Sequence, residues 1–318
     1  MPPLTARSRN LALIGLVVTT LAWAGNTVFA RVIHTTIPPV TTNFWRWVVA
    51  LLILLPLTWP EIRKHRTAIR REWFYLATQA ALAISIYNTL LYLAAQTTTA
   101  LNITLVNAMG PMVTFLLSWW LLKSPPRANQ VTGLVIAFAG LALVLFAGDP
   151  KRALAFEFNR GDIWMSLGML SWAVYSVRLK RSPLQMPPLA LLAVLVVIGT
   201  LLLLPFYLLE VLAFGGFEVT PERVGILFYM GSLGSALAFY FWIRGIELLG
   251  PNVTILFLYL LPVFSGLLAL VFLQEPVRGY HIAGGLMIFA GFYVALFMGG
   301  SHGVARHRRQ TGENDEKN

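Results

Sequence analysis

A chain of 318 residues that is 57% hydrophobic and only 12% charged holds about half the charge of an ordinary globular protein, where about 25% is usual, and this points to a polytopic membrane protein. Its formal charge of +11 is set between apolar runs rather than gathered on one surface, so it is not the footprint of a nucleic-acid binder. The absence of cysteine removes disulfides, thiolate nucleophiles and Cys metal sites.

A helix crosses the hydrocarbon with about 20 residues. In chain order the predicted spans are 11–31, 40–58, 73–94, 101–122, 128–147, 162–178, 188–209, 222–243, 252–273 and 279–299. Residues 1–10 precede the first span. Their Arg7 and Arg9 could open a signal peptide, but no clean small-x-small cleavage site follows. The second span carries Arg46 about 9 Å inside its start, at 1.5 Å per residue. An arginine at this depth either snorkels to the outer headgroups or faces an outer vestibule and attracts a carboxylate. The loop 61–72, EIRKHRTAIRRE, is strongly basic. The sixth span is the shortest, and it follows a loop at 149–161. The tail 300–318 is polar and aperiodic, which reads as disorder or as a lipid-binding or regulatory segment.

Ten crossings sort the basic residues. Seventeen Lys and Arg fall on the side of the termini, six on the other, with Arg46 inside a span as the last of 24. The excess places both termini in the cytoplasm. Losing one span would scramble the sorting.

The two halves of the chain repeat. WAGNTVFAR at 23–31 matches WAVYSVRLK at 172–180 at an offset of 149. Asn102 and Thr104 meet Asn252 and Thr254 at offset 150, and Pro111, Pro125 and the FAG at 138–140 meet Pro262, Pro276 and the FAG at 289–291 at offset 151. The expected units are 11–148 and 162–299. Each holds five spans, an odd number, so the second enters the membrane upside down. The expected fold is an all-α polytopic protein of ten helices in two inverted five-helix repeats, an arrangement found in many secondary transporters with a site near the midplane.

Helical spacing gathers the polar residues into stripes. Thr19, Trp23, Asn26 and Ala30 share one face of span one; Gly168, Trp172 and Tyr175 hold the matching positions of span six. Span three contributes Thr78, Ala81, Ser85, Asn88, Tyr92 and Gln96, and span eight Ser235 and Trp242. Span four lines up Asn107, Pro111, Thr114 and Ser118, and span nine Thr254, Leu258, Pro262 and Ser265. Each polar residue alone either bonds a neighbouring helix or lines a cavity. The set favours a substrate cavity with walls from Trp23, Tyr92, Trp172, Tyr175 and Trp242 and polar groups from Asn26, Ser85, Asn88 and Asn107. Pro111 and Pro262 remove a backbone donor within their helices, as tolerated kinks or as hinges. Gly133, Gly140, Gly284 and Gly291 mark close helix packing within the chain or in a dimer; monomer and homodimer both remain open.

No Asp or Glu lies inside a span; Glu72, Asp162, Glu210, Glu222, Glu247 and Glu275 sit at span ends. A buried carboxylate handle for protons or cations is therefore missing. No nucleophile–base pair, metal cluster or phosphate loop is present, so neither an enzyme, an ATP-driven pump nor a cofactor is expected. A channel and a non-transporting sensor or scaffold stay as alternatives.

The early Trp of each half, FWRWVVALLILL at 44–55, ALNITLVNAMGPMVTFLLSWWLL, GPNVTILFLYLLPVFSGLLALVFLQEP, and the glycine-rich GLVIAFAGLALVL and GGLMIFAGFYVAL resemble the drug/metabolite transporter superfamily, in particular its ten-span EamA group. The resemblance covers about residues 11–299. The acidic-Pro end of the ninth helix is present as Glu275-Pro276, whereas the first half has Ser124-Pro125. The resemblance implies an inner-membrane exporter of metabolites, amino acids or drugs, with a small-molecule substrate and the lipid bilayer as its partners, and names no substrate.

Overall fold

The computed structural model describes residues 5–33, 36–98, 100–149, 151, 159–273 and 278–298. The tail 300–318, Glu275-Pro276 and most of the inter-repeat loop lie outside the described residues. Span one is Ala6–Ile33 and span two Pro39–Lys64, followed by a short surface helix, Arg66–Arg71. Span three is built from Trp73–Ala80, a π-helical segment Ala81–Ile86, and Tyr87–Thr97. Span four is Ala100–Ala108 and Gly110–Leu122, and span five Ala128–Leu145. The second half opens with span six, Arg160–Lys180, and span seven, Pro188–Phe214. Span eight is Pro221–Gly231, a π segment Ser232–Leu237, and Ala238–Leu249. Span nine is Pro251–Leu256, a 3-10 turn Phe257–Tyr259 and Leu260–Leu273, and span ten Gly279–Phe297.

Eight of these helices are long and apolar enough to cross a membrane on composition alone, and Val106–Leu122 of span four is a shorter apolar helix. Span six reaches 21 residues because Arg160, Asp162, Arg178 and Lys180 extend its ends. Its start is fixed locally: the Asn159 side chain accepts from the Gly161 and Asp162 amides, and Asp162 reaches back to the Asn159 amide, a capping box. Pro39, Pro188, Pro221 and Pro251 each stand at a helix start, where the missing N–H costs nothing. Span two is also capped from a distance. The Glu210 carboxylate of span seven accepts from the amides of Val40 and Thr41 and from the Thr41 hydroxyl, placing negative charge at a helix N-terminus.

The halves interlock reciprocally. Span one packs on spans eight and nine; span six packs on spans three and four. Span two meets seven, four meets nine, and five meets ten. Exchanging the halves maps this set onto itself, the signature of a pseudo-two-fold axis relating two units of opposite orientation. Large apolar side chains such as Leu52, Trp120, Phe206 and Leu212 stay on the outside, as a lipid-facing surface requires.

The structure changes the reading of the prolines. A one-residue turn at Met109, itself in helical conformation, precedes Pro111, which sits in the first turn of Gly110–Leu122, a position that suits proline. Pro262 likewise follows the 3-10 turn at the start of Leu260–Leu273. Both halves thus carry a locally irregular span at the corresponding place, and the Tyr259 hydroxyl donates to the Ala108 carbonyl between them at 2.8 Å.

The four glycines join spans five and ten of one chain. A Cβ built at Gly133 would collide with the Gly291 carbonyl, and one at Gly140 would stand 2.7 Å from the Gly284 carbonyl. This face is occupied internally, which leaves it unavailable to a second copy. Because the obstacle is backbone, it cannot swing aside. Gly133→Ala should therefore cost about 1–3 kcal/mol, as overpacking does. At Gly285 of span ten a Cβ meets nothing within 4 Å, and alanine should be neutral or stabilising. Thermal unfolding in detergent should show a clear drop for Gly133→Ala and none for Gly285→Ala.

Candidate functional site

Five spans bring seven aromatic rings together near the middle of the bundle. Trp23 of span one lies 5.6 Å from Trp172, 5.7 Å from Phe239 and 5.2 Å from Trp242. Trp172 of span six lies 5.3 Å from Trp242, 5.0 Å from Tyr87 and 5.4 Å from Tyr175. Trp47 of span two joins through Phe239 at 4.9 Å. These separations are those of favourable offset and edge-to-face pairs. Trp47, Tyr175 and Trp242 are wholly buried, and Trp172 nearly so.

The cluster is apolar in its walls but not in its hydrogen bonding. Trp23 donates to the Gly234 carbonyl at 3.0 Å, and Trp47 to the Asn43 side chain at 3.1 Å. The indole N–H groups of Trp172 and Trp242 and the Tyr175 hydroxyl have no partner. Nor has the Asn26 side-chain oxygen, although Asn26 is only 9% exposed. An unsatisfied buried group costs about 1–3 kcal/mol, so four around one cluster form a site that favours polar contact with a ligand. Asn26 fits because residue 234 is glycine; a Cβ there would occupy the position of its amide.

Arg46 is 5% exposed. It is buried within the protein. Its guanidinium lies over the Trp47 ring at 4.9 Å, a cation–π contact, and its Nε has no partner. The five ion pairs of the described residues all lie elsewhere and none includes it. The Arg46 carbonyl borders Gly231, and Asn26 borders Gly234, so both flank one short stretch of span eight. Arg46 reaches the ring cluster through Trp47 and Phe239.

The two π segments hold this arrangement. A π segment leaves carbonyls out of the regular helical ladder, and in lipid each needs another donor. Ser171 of span six donates to the Leu82 carbonyl in the first π segment at 2.8 Å. Trp23 of span one donates to Gly234 in the second. Each half therefore supplies a donor to the other half's irregular helix. Asn88 bonds the Ala83 and Ile84 carbonyls of its own π segment, and Asn43 adds a donor to Ile84.

The residues expected from the sequence separate accordingly. Trp23, Asn26, Trp172, Tyr175 and Trp242 meet. Asn88 is bonded to its own helix, and Ser85 donates to the Gly199 carbonyl of span seven at 3.2 Å; both use their polar atoms on backbone. Asn107 accepts from the Tyr87 hydroxyl at 3.4 Å at the edge of the cluster. The Tyr92 side chain lies outside the described ones. Phe239, Tyr87 and Trp47 belong to the cluster without having been singled out. Phe239 was legible, since Ser235, Phe239 and Trp242 share one helical face.

Known proteins agree with this architecture. An uncharacterized transporter of Archaeoglobus fulgidus is 26% identical over 88% of this chain and 95% of its own length. The uncharacterized transporter YyaM of Bacillus subtilis is 24% identical over 81% and 84%, and Protein PecM of Dickeya dadantii 27% identical over 70% and 73%. A crystal structure superposes on 91% of this chain and 97% of its own with a TM-score of 0.73 at 20% identity, which shows a shared fold. The model of the EamA-like transporter family matches twice, over residues 10–146 and 159–297. The chain belongs to the EamA-like transporter family and is a multi-pass membrane transporter with two EamA units, not an enzyme.

Proposed function

We propose that the protein exports zwitterionic or weakly anionic small metabolites across the inner membrane, with amino acids bearing aromatic or apolar side chains as the best fit. Alternating access would come from rocking of the two inverted halves. The observation that carries this reading is Arg46: a buried guanidinium next to a cluster of rings, with no acidic side chain to balance it among the described residues. In a medium of low dielectric an uncompensated charge attracts an opposite charge strongly. A substrate carboxylate meets that need. The Asn26 oxygen can accept from the substrate's ammonium group, and the indoles offer faces to its side chain.

The same features disfavour cations. Arg46 repels them, and the acidic residues of the described spans, such as Asp162 and Glu210, stand at helix ends rather than at the ring cluster, away from where a cation exchanger uses a carboxylate. The excess of Lys and Arg on one side supports cytoplasmic termini. The local irregularities at Met109 in span four and at Phe257–Tyr259 in span nine are where we place the hinges, with Pro111 and Pro262 starting the helices beyond them. Discontinuous helices near the midplane serve this purpose in inverted-repeat transporters.

Reconstitution into liposomes and counterflow against amino acids, aromatic metabolites and cationic dyes tests the reading. Saturable exchange of amino acids is expected; robust transport of permanent dications would overturn it. Conductance without saturation would identify a channel, and binding without flux a sensor. Alanine at Trp23, Asn26, Trp172 or Tyr175 should change the kinetics while the protein still folds, and unchanged kinetics in all four would assign these side chains to packing. Arg46→Gln removes a charged hydrogen bond, about 1.5–3 kcal/mol. KM for a carboxylate substrate should rise about 10- to 100-fold, while KM for the corresponding decarboxylated amine should not.

A further inference from the structure

A second, half-buried arginine also lacks an acidic partner among the described residues. Arg178 stands two residues before the end of Arg160–Lys180. Its guanidinium lies 5.7 Å from the centre of the Tyr75 ring, and its Nη2 donates to the Thr78 hydroxyl at 3.2 Å. Among the described residues no acidic side chain pairs with it. Beside it are two fully buried polar side chains of incomplete bonding. Gln79 donates through Nε2 to the Tyr175 carbonyl at 3.3 Å and leaves Oε1 without a partner. The Tyr175 hydroxyl is also unpartnered.

This group mirrors the Arg46 end of the molecule. Each end offers one arginine and one buried amide oxygen without a donor: Arg46 with Asn26, and Arg178 with Gln79. Asn26 and Tyr175 correspond in the repeat at offset 149, and both carry an unpartnered buried atom. Counting crossings, Arg46 near the start of span two and Arg178 near the end of span six lie toward opposite faces of the membrane. The ring cluster stands between them, touching Tyr175 through Trp172 at 5.4 Å and Arg46 through Trp47 at 4.9 Å. A cation and a neutral acceptor side by side complement a carboxylate and an ammonium borne on one carbon.

We propose that Arg178, Gln79 and Tyr175 form a second binding station for the carboxylate–ammonium head of the substrate, on the face that carries loop 61–72. The two stations flank the rings, so the same head group is held in each of the two access states while its side chain passes the indoles. This rests on the transport of zwitterions proposed above. A plain strut between spans three and six explains the bonds of Arg178 to Thr78 and of Tyr75 to the Arg178 carbonyl. It does not explain why Gln79 Oε1 and the Tyr175 hydroxyl are buried without partners.

The test is face-resolved transport of radiolabelled L-phenylalanine by the full chain in liposomes. The sequence has no cysteine, so Thr67→Cys in the exposed loop lets an impermeant maleimide report orientation. Arg178→Gln should raise KM at the loop 61–72 face about tenfold, as the loss of a charged hydrogen bond does, and leave KM at the other face unchanged. Arg46→Gln should show the opposite pattern. Phenethylamine, which lacks the carboxylate, should not respond to Arg178→Gln. Tyr175→Phe removes a hydroxyl that bonds nothing, so it should fold normally and raise KM about fivefold at the same face. Equal effects at both faces, or a lower maximal rate with both KM values unchanged, would make Arg178 a strut and overturn the station. A wild-type protein that exchanges no amino acid would overturn the functional reading itself, before any variant is made.

Discussion

Inside a bilayer every backbone carbonyl freed from its helix must find a donor within the protein. The architecture turns on how this chain meets that demand. Its two π segments, Ala81–Ile86 and Ser232–Leu237, lie at corresponding places in the repeats. Their carbonyls are served across the interface, by Ser171 from span six and Trp23 from span one. In the first segment these donors add to those of its own half, Asn88 and Asn43. The interlocking of spans one and eight, and of six and three, is therefore a matter of hydrogen bonding as well as of packing. It also fixes the position of Trp23: the indole that closes the second π segment is the one that touches Trp172, Trp242 and Phe239. The irregular backbone thus sets the geometry of the ring cluster.

Two other pairs of spans, five with ten and four with nine, meet in different ways. Spans five and ten approach so closely that glycine carbonyls occupy the space of absent side chains, and Asn129 donates to the Val294 and Ala295 carbonyls across them. Such a contact favours one spacing only. The contacts around spans four and nine are different in kind. Both helices are locally irregular, at Met109 and at Phe257–Tyr259, and among the described residues the Tyr259 hydroxyl bridges to the Ala108 carbonyl. The rocking proposed above would need some contacts that hold and others that tolerate rotation, and these two pairs are where we place them.

Much of the fold was legible in the sequence because length and apolarity decide what can cross a membrane, and because the matched prolines and FAG triplets tie residues of one half to those of the other. The repeat showed which residues correspond; it did not show which residues touch. That Trp23 bonds span eight rather than its own half depends on three-dimensional closure. The π segments were illegible for a related reason: ALAISI at 81–86 contains no glycine or proline, and its irregularity is held by donors from Asn43 and Ser171, distant in sequence. In the candidate site, Trp23, Trp172, Tyr175 and Trp242 lie together on the helical faces they share. The polar ones divided. Asn26 kept an unpartnered oxygen, whereas Asn88 turned to Ala83 and Ile84. A stripe of polar residues has the same period whether it bonds its own helix or faces a ligand, so periodicity could not separate the two.

The rings themselves impose a condition on what can pass. They touch one another at 4.9–5.7 Å, and each such pair contributes about 0.5–1.5 kcal/mol beyond simple burial. A substrate that enters among them must replace those contacts with its own. A flat or apolar side chain can do so at little net cost, because it exchanges one ring face for another. A strongly hydrated group cannot, because it gives up water and receives only hydrocarbon. The head group meets a different demand. It needs charge compensation at the cluster's edge, where Arg46 and the Asn26 oxygen stand. On the function proposed above, selection would be divided between two regions, with the rings acting on the side chain and the arginine on the head. A molecule with one apolar end and one zwitterionic end satisfies both without any charged residue having to sit at the centre of the membrane.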